Sequence, residues 1–464
     1  MADKQFDMVV IGSGPGGYVS AIRGSQLGLN VAVIEREDLG GICLNWGCIP
    51  TKSILRSAEI YHLMQRASEF GLKAEKVDFD LNQIIKRSRS IAKQLSGGVT
   101  HLLKKNKVTV FNGEAKFNSG NELTIKSSDK ETNITAKNIV IATGARARQV
   151  PGLEVDGKNI WAYREALQPT RVPKKLLVVG SGAIGIEFAS FFNSIGSDTT
   201  VVEMIDTILP VEDREISAFA KKQFQKQGMT ILEGAQVKGT IKLKDGIEVT
   251  IEDSKGVNKT TFDTIISAVG IVGNVENLNL EAIGVKVDRS HIVVDELCRT
   301  GVKNVYAIGD VAGPPWLAHK ASHEGVMVAE IIGGGSPHPV SPTSIPGCTY
   351  SMPQIASVGL SEEKCKEMGI KYKVGRFPFI GNGKAIALGE SEGMIKTIFD
   401  DQSGELLGAH MVGAEVTELI QGYVVGRQLE TTELELMDTV FPHPTLSEMM
   451  HESVLSAFGR AIHI

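Results

Sequence analysis

Several things are scarce in this 464-residue sequence, and each scarcity excludes something. Five cysteines are too few for the disulfide framework of a secreted scaffold. No segment reaches the ~18 uncharged apolar residues of a membrane helix, so membrane insertion is not expected. Neither sign of charge dominates. Lys plus Arg number 49 against 54 Asp plus Glu, a net charge of −5, which leaves no overall basic field for nucleic acid or an anionic membrane. With 42% hydrophobic and 22% charged residues, the balance is that of a globular chain rather than a disordered one. Residues Met1 to Asp7 lead directly into Met8-Val9-Val10-Ile11, so no signal or transit peptide is expected. A cytoplasmic protein is expected, with a mature organelle-matrix form as the alternative.

Glycine is plentiful, at 50 residues, with no Gly-x-y period. Two segments use it in the same way. Phe6-Asp7-Met8-Val9-Val10-Ile11 runs into Gly12, Gly14 and Gly17, and Lys175-Leu176-Leu177-Val178-Val179 runs into Gly180, Gly182 and Gly185. Each short apolar run reads as a buried parallel strand, and each glycine cluster opens a helix-compatible stretch. A second strand follows and ends in an acid, Glu35 in one case and Glu203 in the other, 23 residues after the first glycine in both. A lone Gly-x-Gly-x-x-Gly is often only a turn. Strand, helix and acid together make a dinucleotide-binding unit: backbone can approach a pyrophosphate, a helix N-terminus faces it, and the acid meets ribose hydroxyls. Two copies 168 residues apart imply two dinucleotides, or a duplication with one site idle.

The expected fold class is α/β, with two Rossmann-like dinucleotide-binding domains and a C-terminal α+β domain. Residues 50–66 and 81–105 have helical patterning, and 107–141 alternate as short strands. Asn138 to Gly144 is a strand ending in a small-residue turn, and Ile265 to Gly270 repeats that shape. Asn304 to Asp310 is another buried strand with an acid at its end. The length suggests about three domains. Four regions fit the patterning better: 1–148, 149–270, 271–345 (the first fold resumed) and 346–464.

Cys43 and Cys48 enclose Leu44-Asn45-Trp46-Gly47. A redox disulfide, a metal-ligand pair and two inert thiols are all readings of such a pair. The want of a second Cys/His cluster weighs against metal. In a regular helix, residues five apart are roughly 8–9 Å apart at Cα, whereas a disulfide needs less than about 7 Å. A disulfide therefore requires a distorted turn, for which Gly47 and Pro50 are suited, and a thiolate there would gain from a helix N-terminus.

The run from Gly40 to Lys52 resembles the redox segment of the pyridine nucleotide–disulfide oxidoreductases, and the likeness extends over nearly the whole chain. The closing His443-Pro444-Thr445-Leu446-Ser447-Glu448 is similar to the end of the family's dihydrolipoamide-oxidising branch. The resemblance implies FAD at the first fingerprint, with Glu35 on its ribose, and NAD at the second, with Glu203. No Arg or Lys stands among Met204 to Ile208 to meet a 2′-phosphate, which favours NAD over NADP. It further implies Asp310 on the flavin's sugar-alcohol chain, the Leu317–Lys320 backbone with Ala318 at the ring, and Lys52 with Glu187 as an ion pair under the flavin. Ala115, Thr143 and Gly144 would add FAD contacts, and Val237 and Gly270 NAD contacts. His443 would be the base, oriented by Glu448, and Cys43 and Cys48 the redox disulfide. No metal is implied. The implied partners are a second copy of the chain, sharing the active site, and a lipoyl-bearing acyltransferase or carrier protein of a 2-oxo acid dehydrogenase complex or glycine cleavage system.

The sequence departs from that pattern in places. Trp46 replaces a small aliphatic residue, Pro442 an alanine, and Gly270 to Asn274 lack an arginine and a proline. Within the family, glutathione reductase is the first rival, but its NADP-reading arginines are missing. Mercuric reductase and the large thioredoxin reductases carry C-terminal cysteines, whereas Cys298, Cys348 and Cys365 read as ordinary thiols and the tail has none. A non-catalytic scaffold is the rival of another class.

Overall fold

The computed structural model describes residues 4–128 and 130–464. Met1 to Asp3, on which part of the leader expectation rests, lie outside the described residues. The chain forms two compact units. One comprises the chain up to Ser53, Asn82–Arg148 and Gly270–Val340, and the other Ile54–Leu81, Gln149–Val269 and Ser341–Ile464.

The first unit is built on strand Lys4–Ile11, which pairs in parallel with Val31–Glu35 on one side and Glu131–Ile141 on the other. Val31–Glu35 also pairs in parallel with Thr109–Asn112, and Val305–Ala307 pairs in parallel with Glu131–Ile141. An antiparallel extension, Glu122–Lys126 and Glu114–Ser119, continues the sheet beyond Glu131–Ile141. The parallel strands are apolar runs because both faces are covered. Val9, Ile11, Ile34, Ile139 and Ile141 enter one core, and Met8, Val10, Val33 and Val140 another. Helix Pro15–Gln26 packs closely against helix Ala318–Ile332, where glycine lets the backbones meet. A Cβ on Gly325 would stand 2.5 Å from the Gly16 carbonyl oxygen. Helices Cys48–Gln65 and Leu81–Lys105 form where the apolar spacing predicts them, within a residue or two.

The second unit repeats the parallel design. Its five-stranded sheet runs Thr230–Leu232, Asp198–Val202, Lys175–Val179, Thr264–Ser267 and Ile160–Trp161, all pairs parallel. A three-stranded meander, Gln236–Leu243, Gly246–Asp253 and Gly256–Phe262, packs Ile247, Val249 and Ile251 into the same core as Leu177 and Val179. The C-terminal part is α+β. Gly347–Thr349, Gln354–Gly359, Leu406–Gly413, Met394–Asp400 and Tyr372–Pro378 form an antiparallel sheet, and helices Val416–Gln428 and Glu448–Ala457 cover its apolar face. Among the described residues, no helix is long and apolar enough to cross a membrane.

Candidate active site

The two glycine clusters fold alike. Strand Lys4–Ile11 ends at Gly12, whose φ of 100° suits glycine and whose Cβ would lie 2.3 Å from the Ala142 carbonyl oxygen. Gly180 has φ 99°, and its Cβ would lie 2.4 Å from the Ala268 carbonyl oxygen. The third glycines, Gly17 and Gly185, pack the helix onto the turn, each with a would-be Cβ 2.0 Å from the first glycine's carbonyl oxygen. The middle glycines differ in kind. A Cβ on Gly14 or Gly182 would meet nothing within 4 Å. Each is the N-cap of a twelve-residue helix, Pro15–Gln26 or Ala183–Ser194, and neither receives a side-chain cap. Open space, first-turn N–H groups and a positive dipole end thus coincide, a setting that fits a pyrophosphate.

The acids are held by serines that the spacing argument missed. Glu35 Oε2 accepts from Ser13 N at 2.9 Å and Ser13 Oγ at 2.6 Å. Glu203 Oε2 accepts from Ser181 N at 3.0 Å and Ser181 Oγ at 2.6 Å. The signal was present, since both clusters read Gly-Ser-Gly. Arg214, the cation nearest in sequence after Glu203, is paired with Asp206 at 3.2 Å.

Asp310 lies in the turn Gly309–Ala312, directly after strand Val305–Ala307. That turn is fixed from below. Glu324 accepts from Gly309 N at 2.7 Å and pairs with Lys320 at 2.9 Å, and Lys320 Nζ also donates to the Gly313 carbonyl. Burial pushes the Asp310 carboxyl above its usual range. No hydrogen bond reaches that carboxylate among the described residues, an arrangement suited to an incoming hydroxyl. Ala318 opens helix Ala318–Ile332, so its first-turn amide faces outward from the helix end. Thr143 and Gly144 are tied to Asn274. Thr143 Oγ1 donates to Asn274 O at 2.8 Å, Asn274 Nδ2 to Thr143 O at 2.9 Å, and Asn274 N to Gly144 O at 2.9 Å. The departure at 270–274 therefore supplies its own clamp, and Arg146 adds bonds to Asn274 and Glu276. Gly270 has φ 96°. The Ala115 side chain is in the core, so only its main chain can meet a cofactor. Val237 packs against the second sheet's core.

Cys43 and Cys48 are bonded, with Cα atoms 4.7 Å apart. The required distortion is a helix break. Cys43 lies in helix Gly41–Trp46, Gly47 interrupts, and Cys48 begins helix Cys48–Gln65. Thr51 N and Oγ1 both donate to the Gly47 carbonyl, at 3.0 and 2.7 Å, and seal the break. Both cysteines are partly accessible. Cys298 and Cys365 are buried, and burial pushes both thiols upward, away from thiolate chemistry. Lys52 follows Cys48 by one helical turn. Glu187 is buried, and its Oε1 accepts from Tyr350 N at 2.9 Å.

His443 stands in the second unit, flanked by Pro442 and Pro444. Its Nδ1 meets Glu448 Oε1 at 2.9 Å, and Thr445 N donates to Glu448 Oε2 at 2.9 Å. Desolvation works upward on Glu448, but the Thr445 N–H and the His443 ring hold its carboxyl below the usual value. An ionised carboxylate on Nδ1 leaves Nε2 as the proton acceptor. The imidazole is 80% exposed while its carboxylate is 29% exposed, so the base is presented outward on an anchored support.

Comparison with known proteins gives a consistent result. Residues 6–325 match the family described as pyridine nucleotide-disulphide oxidoreductase, and 345–454 match that family's dimerisation domain. The chain is 56% identical to the dihydrolipoyl dehydrogenase of Zymomonas mobilis, covering 100% of both chains. It is 40% identical to the dihydrolipoyl dehydrogenase of Bacillus subtilis, with 99% of each covered. Among solved structures, LpdA from Mycobacterium tuberculosis superposes with a TM-score of 0.90 at 25% identity, covering 97% of this chain and 99% of that one. The HOCl-induced flavoprotein disulfide reductase RclA of Escherichia coli, as its Cu(II) complex, gives 0.87 at 26% identity over 97% and 99%.

Proposed function

The chain belongs to the pyridine nucleotide-disulphide oxidoreductase family, and from that premise we propose that it oxidises protein-bound dihydrolipoamide to lipoamide and reduces NAD to NADH. The observation that carries this is the Cys43–Cys48 disulfide on a broken helix, in the unit that holds the first glycine fingerprint. FAD, when bound, supplies the conversion between thiol electron pairs and the hydride that NAD carries away.

The chain's own residues do the rest. Glu448 keeps the His443 ring oriented with Nε2 free, and Nε2 takes a proton from one substrate thiol. The resulting thiolate attacks Cys43 Sγ, the Cys43–Cys48 bond breaks, and Cys48 leaves as a thiolate. The substrate's second thiol then attacks its first sulfur and gives its proton to the departing Cys43 thiolate. The lipoamide ring closes, Cys43 is freed, and two electrons remain on the cysteine pair. Gly12, Gly14, Gly17, Glu35 and Asp310, with the main chains of Ala115, Thr143, Gly144 and Ala318, are assigned to FAD. Gly180, Gly182, Gly185, Glu203, Val237 and Gly270 are assigned to NAD. Lys52 and Glu187 are retained as flavin-side groups.

The dimerisation domain supports a homodimer. The outward-facing His443 suits a base offered to the other subunit's disulfide. The dithiol is carried by a lipoyl-bearing acyltransferase or carrier protein, and the bacterial relatives favour the cytoplasm. The test is spectroscopic. The purified protein is expected to be yellow and to gain a long-wavelength absorption band on adding dihydrolipoamide. A colourless protein, or a yellow one that does not respond, would refute the assignment.

A further inference from the structure

One side-chain cluster in the first unit is not used by this chemistry. Helix Leu81–Lys105 directs three successive residues at the redox turn and its flank. Arg87 Nη1 donates to Ser53 Oγ at 2.9 Å, Ser88 Oγ donates to the Pro50 carbonyl at 3.3 Å, and Arg89 Nη2 donates to the Asn45 carbonyl. The Arg89 guanidinium also lies 4.3 Å from the centroid of the Trp46 ring. Asn45 and Trp46 are two of the four residues between the cysteines.

The reason for a grip at this point is the helix break. In an unbroken helix the Asn45 carbonyl would accept from the amide four residues on. Gly47 removes that continuation, and Arg89 supplies the donor instead. A planar cation over an indole adds attraction with a defined geometry. Arg89 Nη1 is buried without a hydrogen-bond partner. Such an unpaired donor is unfavourable, so the bonds to Asn45 and Trp46 hold the side chain there against that cost. Asn45 is fixed from its other end too, its Nδ2 donating to the Leu39 and Gly41 carbonyls at 3.1 and 3.0 Å.

We propose that Arg89 is a positioning residue of the redox turn, gripping Asn45 and Trp46 so that the segment between Cys43 and Cys48 stays kinked after the disulfide opens. This rests on the redox reading of the cysteine pair. Each turnover removes the covalent tie, and the thiols then stay paired only if the chain between them is held. A held pair has a high effective concentration of one thiol for the other, which favours the disulfide. The stack uses Trp46, one of the residues by which this chain departs from the resemblance, so it tunes a shared mechanism by local means.

The test is a glutathione redox titration of the FAD-bound enzyme, quenched by alkylation and read as the mass of the Cys43–Cys48 peptide. In each exchange two glutathione thiols give two electrons and two protons to the pair. One glutathione disulfide forms as the protein disulfide opens to two thiols. Arg89→Met is expected to shift the balance toward the dithiol by about tenfold, an upward midpoint shift of about 30 mV for a two-electron couple. Arg89→Lys, which keeps the charge but not the planar fork, should fall between the parent and Arg89→Met. An unchanged midpoint in Arg89→Met overturns the proposal. So does a downward shift, which would mean that the charge stabilises a thiolate instead. Should Arg89→Met lose its flavin, Trp46→Leu decides, since it removes the stacked face and leaves the Asn45 bond. A shift of about threefold in the same direction supports the proposal, and none overturns it. A parent enzyme whose cysteines do not cycle at all would instead refute the redox reading itself.

Discussion

The two fingerprint turns are close copies, yet their helices meet different surroundings. Gly16 and Ile184 occupy the same place, 168 residues apart. Gly16 is buried, and a Cβ there would stand 2.9 Å from the Ala321 carbonyl oxygen. Ile184 is 50% exposed. The first helix is therefore sealed by helix Ala318–Ile332, which also brings Ala318 and the Asp310 turn to the same unit, whereas the second helix starts in the open. The same phosphate-binding device thus stands in two settings, and the proposed cofactor assignment follows them. The enclosed copy suits a resident flavin and the open copy a nicotinamide dinucleotide that must come and go with each turnover. Among the described residues, the disulfide lies in the enclosed unit.

The sharpest way to break this division is at the disulfide. Cys48→Ser should reduce dihydrolipoamide oxidation by about 10⁴-fold or more, the scale of losing a covalent catalytic group, while FAD remains bound. Normal lipoamide turnover in that variant would sink the assignment. His443→Gln comes next. Losing a general base should slow the dithiol half-reaction by about 10²–10⁴-fold and leave NADH oxidation by an artificial dye near the parent rate. Equal losses in both assays would point to misfolding. The enclosure itself is tested by paired substitutions at one equivalent position. Gly16→Val forces side-chain atoms into the Ala321 backbone and should cost about 1–3 kcal/mol, with reduced flavin content. Ile184→Ala should stay within about 0.5 kcal/mol with FAD content unchanged. Equal effects on unfolding midpoint and flavin absorbance would remove the distinction.

What was legible in the sequence follows from how far each feature reaches along the chain. The strand–glycine–helix–acid units were readable because all their parts lie within 30 residues, Phe6 to Glu35 and Lys175 to Glu203. The need for a distorted turn between Cys43 and Cys48 was readable because five residues on a helix reach too far, and the structure supplies it as a break at Gly47. The seal on the first helix was not readable, because Gly16 meets Gly325 across more than 300 residues and no local period marks such a pair. The Asn274 clamp on Thr143 and the Arg89 grip on Asn45 were missed for the same reason. Asn274 registered only as a departure, and the partner that gives it meaning lies 131 residues away. The serines under Glu35 and Glu203 were within reach, since both clusters read Gly-Ser-Gly, but the geometry of glycine says nothing of a serine–acid bond.

The smallest expected effect concerns the cofactor-facing acid of the enclosed unit. Burial raises the Asp310 carboxyl, and Lys320, Glu324 and His291 are the charged or titratable groups that face it. A carboxyl raised in the folded state binds its proton more tightly there than in the unfolded chain. Its ionisation therefore opposes folding. The penalty is absent below the ordinary value of 3.8, grows as pH rises from there to the raised value, and is constant above it. Flavin-free Asp310→Asn should accordingly be more stable than the flavin-free parent at pH 7, by about 1 kcal/mol. That advantage should shrink as pH falls toward 3.8. With FAD bound the order should reverse, because an ionised acceptor holds a hydroxyl more strongly than an amide does. Urea unfolding of both proteins, with and without flavin, at neutral and acidic pH would show the crossing. If the substitution destabilised the flavin-free protein at pH 7, Asp310 would be a structural carboxylate, and the enclosed site would owe its flavin to the glycine turn and the helix end alone.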